Sequence, residues 1–274
     1  STSTAEKMAG TRSQSKTPRR SARSKSPAKK PTVKSVPLSS KAKGGAKSAR
    51  DAIAVFYYVP QLVGYSRVLC TLASMWLMIT SLKDGSRYLE ATALYVMSFV
   101  GDLFDGMAAR KFDQSSKFGG VLDMVTDRCT TAGLLLILSN VYSSPLMKMS
   151  FVSLFFLDIS SHWMQMTSSL MLGSHHKSAE GNATRFFLVR WFYTNYLFFG
   201  WCCVGAEFTY VLLYVLKYYT SPTPLHQVLA LTLNYVMLPA CAIKNVVNVF
   251  QLTSASYAIA EADVKEWNRV NKAK

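Results

Sequence analysis

Long apolar stretches separated by short polar segments run from about residue 51 toward the C-terminus. A helix needs roughly 20 mostly apolar residues to cross a hydrocarbon core about 30 Å thick. Six stretches reach this length, and we predict a membrane-spanning helix in each: 60–82, 88–110, 118–141, 145–172, 188–217 and 225–255. The pattern therefore predicts an all-α integral membrane protein with six transmembrane helices.

A short aromatic segment precedes the first of these stretches. Residues 51–58 end in Phe-Tyr-Tyr, which is typical of a helix lying in the membrane interface. Pro60 follows, and proline is accepted in the first turn of a helix. We predict an N-terminal interfacial helix that leads into the first span.

Residues 1–50 have a different composition from the rest of the chain. They contain 14 of the 31 Lys and Arg residues and a single acidic residue, Glu6. With almost no large apolar side chains, such a segment cannot offset the entropy lost on folding, so we predict disorder. A basic tail can bind DNA phosphates, but next to a membrane helix it favours the anionic cytoplasmic surface, and we expect no nucleic-acid partner. The predicted division is a disordered basic tail at 1–50, a six-helix domain at 51–260 and a cytoplasmic segment at 261–274.

The basic residues between the spans predict the orientation. An even number of spans places both termini on one side, and cytoplasmic loops carry an excess of Lys and Arg. The side shared by the termini holds ten such residues after the tail: Arg110, Lys111, Lys117, Lys177, Arg185, Arg190, Lys265, Arg269, Lys272 and Lys274. The opposite side holds four: Lys83, Arg87, Lys148 and Lys217. We therefore expect both termini and the segment around 111–117 in the cytoplasm.

Composition excludes two classes of protein. Half of the 274 residues are apolar although the tail is polar, which disfavours a soluble globular enzyme. The five cysteines lie in apolar segments without metal-ligand spacing, which disfavours a secreted disulfide scaffold. They are Cys70, Cys129, Cys202, Cys203 and Cys241.

Four aspartates lie inside the second and third predicted spans, where an ionisable side chain is costly unless paired or bound to a cation. Asp102 and Asp105 share one helix face, as do Asp123 and Asp127. The short connection between the spans predicts a helical hairpin that brings both pairs together near the cytoplasmic surface. Carboxylates this close repel each other unless cations neutralise them.

Carboxylate oxygens suit Mg²⁺ or Mn²⁺, and two such ions about 3.5–4 Å apart are typical of phosphoryl-transfer sites. Gly106 and Ala109 beside the first pair, with Gly119 and Gly120 opposite, leave room for a ligand close to the backbone. Intramembrane acids also occur in cation transporters, so charge alone leaves transport open.

These residues follow a longer pattern, which reads Asp102-x-x-Asp105-Gly106-x-x-Ala109-Arg110, eight residues, Gly119, three residues, Asp123, three residues, Asp127. In this pattern the chain resembles the CDP-alcohol phosphatidyltransferases at every defined position. Residues 59–67, 122–129 and 158–163 further resemble the eukaryotic phosphatidylinositol synthases of that family. One departure is Gln61, where many members have Asn.

The resemblance implies a role for each residue of the pattern. Asp102, Asp105 and Asp123 would bind metal. Asp127 would bind a second metal ion and act as the general base. Gly106, Ala109, Arg110 and Gly119 would bind CDP-diacylglycerol. An inositol hydroxyl would attack the lipid phosphorus and release CMP. Seven residues are candidates for contacts with the acceptor or with phosphate: Arg67, Arg128, Asp158, Ser161, His162, Lys177 and Lys244.

The resemblance also implies a homodimer in the endoplasmic reticulum, and also the Golgi, with two ions of Mg²⁺ or Mn²⁺ per active site. The prediction that inositol is the acceptor depends on overall similarity to the family members rather than on the acidic pattern. A related enzyme that uses serine or glycerol phosphate is therefore the first alternative. A cation transporter or membrane scaffold is the second.

Overall fold

The computed structural model describes residues 52–171 and 194–272, and these two ranges are helical apart from short connections. In chain order the helices are α1 (Ala52–Phe56), α2 (Val59–Thr80), α3 (Tyr88–Lys111), α4 (Lys117–Val141), α5 (Pro145–Met171), α6 (Tyr196–Tyr218), α7 (Pro224–Thr232) and α8 (Leu238–Lys272). A π-helical segment, Leu233–Met237, joins α7 to α8. The prediction of an all-α protein is confirmed for the described residues.

The helix bounds follow the apolar stretches closely in the first half of the chain. Helices α2 to α5 match the first four predicted spans to within about two residues, and α1 covers part of the predicted interfacial helix. Helix α6 begins at Tyr196, and the first residues of the fifth predicted span, 188–193, lie outside the described residues. The basic tail at 1–50 lies outside them as well.

The last predicted span differs most from the structure. It is interrupted by the π-helical segment, a local widening that apolar periodicity does not reveal. Helix α8 then continues to Lys272, so the predicted boundary near residue 260 does not coincide with the end of a helix.

Three helical segments in the described ranges are long and apolar enough to cross a membrane: Val59–Thr80, Tyr196–Tyr218 and Pro224–Lys272. The other three long helices, α3 to α5, carry charged side chains of the clusters described below, which lowers their mean hydropathy. The protein is thus a helical membrane protein, while a total of six spans stays a prediction.

The helices pack as one bundle around α4. Helix α2 packs against α3 and α4, α5 against α4 and α8, and α6 against α8 and α4. The apolar core includes Tyr95 of α3, Leu134 and Leu138 of α4 and Tyr214 of α6, all fully buried. This core lies on the N-terminal side of Asp102 along α3 and on the C-terminal side of Asp127 along α4. The aspartates are therefore left at one end of the bundle.

Close helix packing depends on a small residue between α6 and α8. A Cβ atom at Gly205 would lie 2.4 Å from the Cβ of Ala240, so a larger residue would force the two helices apart. The outer surface carries large apolar side chains such as Leu69, Trp76 and Trp163. Such a surface is what a membrane bundle presents to lipid.

Candidate active site

The short connection between α3 and α4 forms an open helical hairpin, in which α2 packs against both helices while α3 and α4 make few direct contacts with each other. Asp113 in this connection has a positive φ of 51°, a conformation that Asp adopts more readily than most residues. Helix α4 then begins at a capped end, since Ser116 Oγ accepts a hydrogen bond from the Gly119 amide at 2.9 Å. The amide of Gln61 on α2 donates to the same hydroxyl at 2.7 Å. These contacts hold the start of α4 next to α2.

The hairpin brings the four predicted aspartates together around one side chain, Arg67 of α2. Its Nη1 atom lies 3.1 Å from Asp102, 2.5 Å from Asp105 and 3.0 Å from Asp123, and its Nη2 atom lies 2.5 Å from Asp127.. One buried positive charge thus faces four carboxylates. We call these five residues the carboxylate site.

Arg67 is positioned by α3 as well as by its own helix. Its Nε atom donates to the Ser98 carbonyl at 3.2 Å. A Cβ atom at Gly101 would lie 2.7 Å from Arg67 Cγ, so the glycine makes room for the arginine stem. Arg67 as a contact for the acceptor or for phosphate stays a prediction, and in the structure its guanidinium contacts carboxylates. Sequence alone does not indicate to which neighbouring helix a side chain extends.

Three of the aspartates form a group suited to a metal ion. Asp102, Asp123 and Asp127 each offer a carboxylate oxygen, and these atoms lie within 4.8 Å of one another. Hard oxygen ligands fit Mg²⁺ or Mn²⁺. The guanidinium among these groups also shows that a cation is accommodated there. Asp105 lies outside the group of three but shares its contact with Arg67.

The carboxylate site opens to the outside of the bundle. The Arg67 side chain is only 3% exposed, whereas Asp102, Asp123 and Asp127 are between 32% and 37% exposed. A ligand therefore has access to these three carboxylates.

The residues predicted to bind the nucleotide follow Asp105 on α3 and precede Asp123 on α4. A Cβ atom at Gly106 would meet only the Arg110 guanidinium, 3.6 Å away, so the space above Gly106 is otherwise open. Arg110 itself is exposed and Ala109 is partly buried. Gly119 is more enclosed, because a Cβ atom there would lie 3.1 Å from Ser116 Oγ and 3.2 Å from Gln61 Nε2.

A second charged cluster joins α4, α5 and α8. Nη1 of Arg128 lies 2.9 and 2.8 Å from the two carboxylate oxygens of Asp158. Lys244 Nζ donates to Asn248 at 2.6 Å and lies 3.9 Å from Asp158 Oδ1. Nδ1 of His162 lies 2.8 Å from the Asp158 carbonyl oxygen. We call Arg128, Asp158, His162, Lys244 and Asn248 the buried ion cluster.

Four of the predicted acceptor contacts thus lie together in this cluster, and Ser161 lies beside them. The Ser161 hydroxyl donates within α5, to the Asp158 carbonyl at 3.1 Å. The two sites are adjacent, since Arg128 Nη2 lies 3.9 Å from the second carboxylate oxygen of Asp127. Lys177, the remaining acceptor candidate, lies outside the described residues.

Comparison with known sequences identifies the family of this chain. The sequence model of the CDP-alcohol phosphatidyltransferase family matches residues 57–222, which include the complete carboxylate site. The chain belongs to this family. Members of the family in general use a divalent metal, and the aspartate group described above fits that chemistry.

Individual relatives carry more specific names. The chain is 36% identical over 238 residues to the probable CDP-diacylglycerol–inositol 3-phosphatidyltransferase 2 of Arabidopsis thaliana, covering 82% of this chain and 99% of the relative. It is 34% identical to the Drosophila melanogaster CDP-diacylglycerol–inositol 3-phosphatidyltransferase over 212 residues, or 77% of this chain and 89% of that protein. The Homo sapiens enzyme of the same name is 33% identical over 220 residues, or 77% and 95%. No solved structure matches the chain.

One buried acid of this phosphatidyltransferase was missed by the sequence analysis. Glu207 of α6 accepts hydrogen bonds from the hydroxyls of Tyr95 on α3 and Thr131 on α4. The sequence did contain a sign of its importance, because Glu207 is an ionisable residue within an apolar span. It stands alone on its helix, and the paired spacing that revealed the four aspartates was absent.

Proposed function

We propose that this protein transfers the phosphatidyl group of CDP-diacylglycerol to myo-inositol and releases CMP. The carboxylate site carries this proposal, with four carboxylates from two helices around the guanidinium of Arg67 at one end of a membrane bundle. The names of the plant, insect and human relatives support inositol as the acceptor. Lipid tails reach such a site from the bilayer, while CMP and inositol are soluble in water.

We assign the metal to Asp102, Asp105, Asp123 and Asp127, as two ions of Mg²⁺ or Mn²⁺. Divalent ions held by these carboxylates would neutralise the pyrophosphate of CDP-diacylglycerol and the charge that develops on the leaving CMP. Arg67 compensates the same carboxylates. Its contacts with them would change on ion binding.

We assign the nucleotide to the opening lined by Gly106, Ala109 and Gly119. Small residues there let the cytidine approach the backbone. Arg110 is exposed at the rim, where its charge is available to phosphate.

We assign proton removal to Asp127. Asp127 takes the proton of an inositol hydroxyl, the hydroxyl oxygen forms a bond to the phosphorus that carries diacylglycerol, and the bond from that phosphorus to the CMP oxygen breaks. Arg128 joins Asp127 to the buried ion cluster, which places polar groups suited to a polyol beside the base. We therefore assign the inositol hydroxyls to Arg128, Asp158, Ser161, His162 and Lys244, with Lys177 as a further candidate.

The orientation is proposed from the charge distribution, and the organelle and the homodimer are proposed from the resemblance to the family. We infer a six-span homodimer of the endoplasmic reticulum, and also of the Golgi, with the active site and both termini in the cytoplasm. The excess of basic residues on the side of the α3–α4 connection supports this orientation. The catalytic domain is residues 51–260, and the basic tail at 1–50 is not needed for turnover.

The acceptor is tested by CMP release from purified protein with CDP-diacylglycerol and Mn²⁺ or Mg²⁺. Myo-inositol is compared with serine, glycerol phosphate and no acceptor. Release that only inositol stimulates is the expected result. Stimulation by serine or glycerol phosphate would support the proposed transfer reaction but show that inositol is not the acceptor. No release with any acceptor would favour a transporter or a scaffold.

A further inference from the structure

Glu207 on α6 contacts both aspartate-bearing helices. Its Oε1 atom accepts a hydrogen bond from the Tyr95 hydroxyl of α3, and its Oε2 atom accepts one from the Thr131 hydroxyl of α4 at 3.0 Å. The residue is only 9% exposed. Each carboxylate oxygen is thus bonded to a different helix of the α3–α4 hairpin.

Both donors lie on the helix turns that lead to the carboxylate site. Thr131 is one turn beyond Asp127, and its Oγ1 atom also lies 3.1 Å from the Asp127 carbonyl oxygen. Tyr95 is seven residues before Asp102, which is two turns along the same face of α3. A shift of either donor moves the turn that carries an aspartate.

A layer of hydroxyl groups separates Glu207 from Arg67. Thr71 Oγ1 of α2 lies 2.8 Å from Ser98 Oγ of α3 and 3.1 Å from Thr130 Oγ1 of α4. The Tyr95 hydroxyl reaches toward the same layer, 3.4 Å from the Thr130 carbonyl oxygen. Helices α2, α3 and α4 are therefore joined by polar contacts beneath the carboxylate site.

The cost of this arrangement argues for a role beyond packing. A carboxylate inside an apolar bundle is unfavourable unless its oxygens find donors. Replacing a buried polar group together with its partners by well-packed apolar residues is often neutral or stabilising. What Glu207 adds over an apolar residue is a directional bond to each helix of the hairpin. Residues that orient metal ligands from behind contribute to metal affinity in this way.

We propose that Glu207 is a positioning residue for the carboxylate site. It holds Tyr95 and Thr131, and so fixes the spacing between the aspartate pair of α3 and the pair of α4. It touches neither substrate. The inference rests on the proposed metal binding at these aspartates and is independent of the acceptor.

The test is Mn²⁺ binding to the purified full-length protein in detergent, measured by electron paramagnetic resonance without substrates. In Glu207→Leu we expect Mn²⁺ affinity to fall by about 10- to 100-fold, the usual effect of removing a group that orients metal ligands. In Glu207→Gln the amide oxygen accepts from Tyr95 and the amide nitrogen donates to Thr131, so most of the affinity should return.

Thr209→Val is the matched control on the same helix. Thr209 is buried, and its hydroxyl bonds to the Gly205 carbonyl of α6 at 2.7 Å, away from the aspartate-bearing helices. We expect wild-type Mn²⁺ affinity in this variant. Tyr95→Phe removes one of the two donors and should also weaken Mn²⁺ binding.

If Glu207 has only a structural role, the measurements should differ from those expected above. Glu207→Leu would then lower Tm and leave Mn²⁺ affinity at the wild-type value, which would overturn the proposal. If Glu207→Leu is not recovered as folded protein, wild-type affinity in Tyr95→Phe overturns it instead. Absence of Mn²⁺ binding by the wild-type protein would overturn the metal assignment itself and this inference with it. The two failures are thereby distinguished.

Discussion

Arg67 Nη2 lies 2.5 Å from Asp127 Oδ1, so a buried cation contacts the carboxylate that we assign as the general base. The same guanidinium contacts the other three aspartates of the carboxylate site. With metal bound at this site as we propose, a fixed arginine and a metal ion would compensate the same carboxylates. The stability of the fold would then be linked to metal binding.

Replacing Arg67 with Gln should make the fold more dependent on metal. In EDTA the four carboxylates then repel each other without compensation, and because they are partly exposed we expect a loss of at most about 3 kcal/mol. Added Mn²⁺ should raise the Tm of Arg67→Gln by more than it raises that of the wild type. Thermal unfolding in detergent, with EDTA and with Mn²⁺, measures both effects.

The control for that experiment is Arg87→Gln. Arg87 forms an exposed pair with Glu90, and exposed pairs contribute little to stability. An equal Mn²⁺ effect in Arg67→Gln and in the wild type would contradict the role given to Arg67.

Asp127→Asn tests proton removal separately from substrate binding. The variant keeps three aspartates and the nucleotide opening, so we expect CDP-diacylglycerol binding to remain detectable. CMP release should fall by at least about 100-fold, because the amide cannot take the proton. The control is Asp263→Asn, an exposed acid of α8. Turnover near the wild-type rate in Asp127→Asn would remove the general-base assignment.

Gly106→Leu tests the nucleotide opening. The leucine side chain extends into space where a Cβ atom meets only Arg110. We expect KM for CDP-diacylglycerol to rise by about tenfold, which corresponds to about 1.4 kcal/mol, while KM for inositol stays unchanged. Gly200→Leu is the control, because Gly200 has open space around it on α6. A KM increase that is the same in both variants would argue against a nucleotide at Gly106.

Lys244→Met tests the buried ion cluster as the acceptor site. Methionine keeps much of the apolar stem and leaves the Arg128–Asp158 pair intact. Loss of a charged hydrogen-bond donor typically costs about 1.5–3 kcal/mol, so we expect KM for inositol to rise about tenfold or more. Binding of CMP should not change.

Lys265→Met is the matched change on the same helix. Lys265 is exposed and forms an ion pair with Glu261 of the same helix. If Lys244→Met and Lys265→Met have the same KM for inositol, the acceptor lies elsewhere.

The helices and the aspartates were accessible from sequence for specific reasons. Helical spacing places Asp102 with Asp105 and Asp123 with Asp127, and the short connection at 112–116 leaves a hairpin as the simple solution. The lengths of the apolar stretches predicted the bounds of α2 to α5 to within about two residues.

Contacts between distant helices were not accessible in the same way. The 3.2 Å bond from Arg67 to the Ser98 carbonyl depends on helix rotation, which periodicity does not specify. Glu207 has no acidic neighbour on its helix to mark it, and its role emerges only when Tyr95 and Thr131 are seen to face it. The π-helical segment before α8 likewise leaves no apolar signature.

The most direct test of the account is transfer of labelled myo-inositol into lipid. Purified protein is incubated with CDP-diacylglycerol and Mn²⁺, and labelled lipid and CMP are measured together, with EDTA as the metal-free comparison. The account predicts equal amounts of inositol lipid and CMP, both abolished by EDTA. CMP release without inositol lipid, or inositol lipid formed equally well in EDTA, would contradict it.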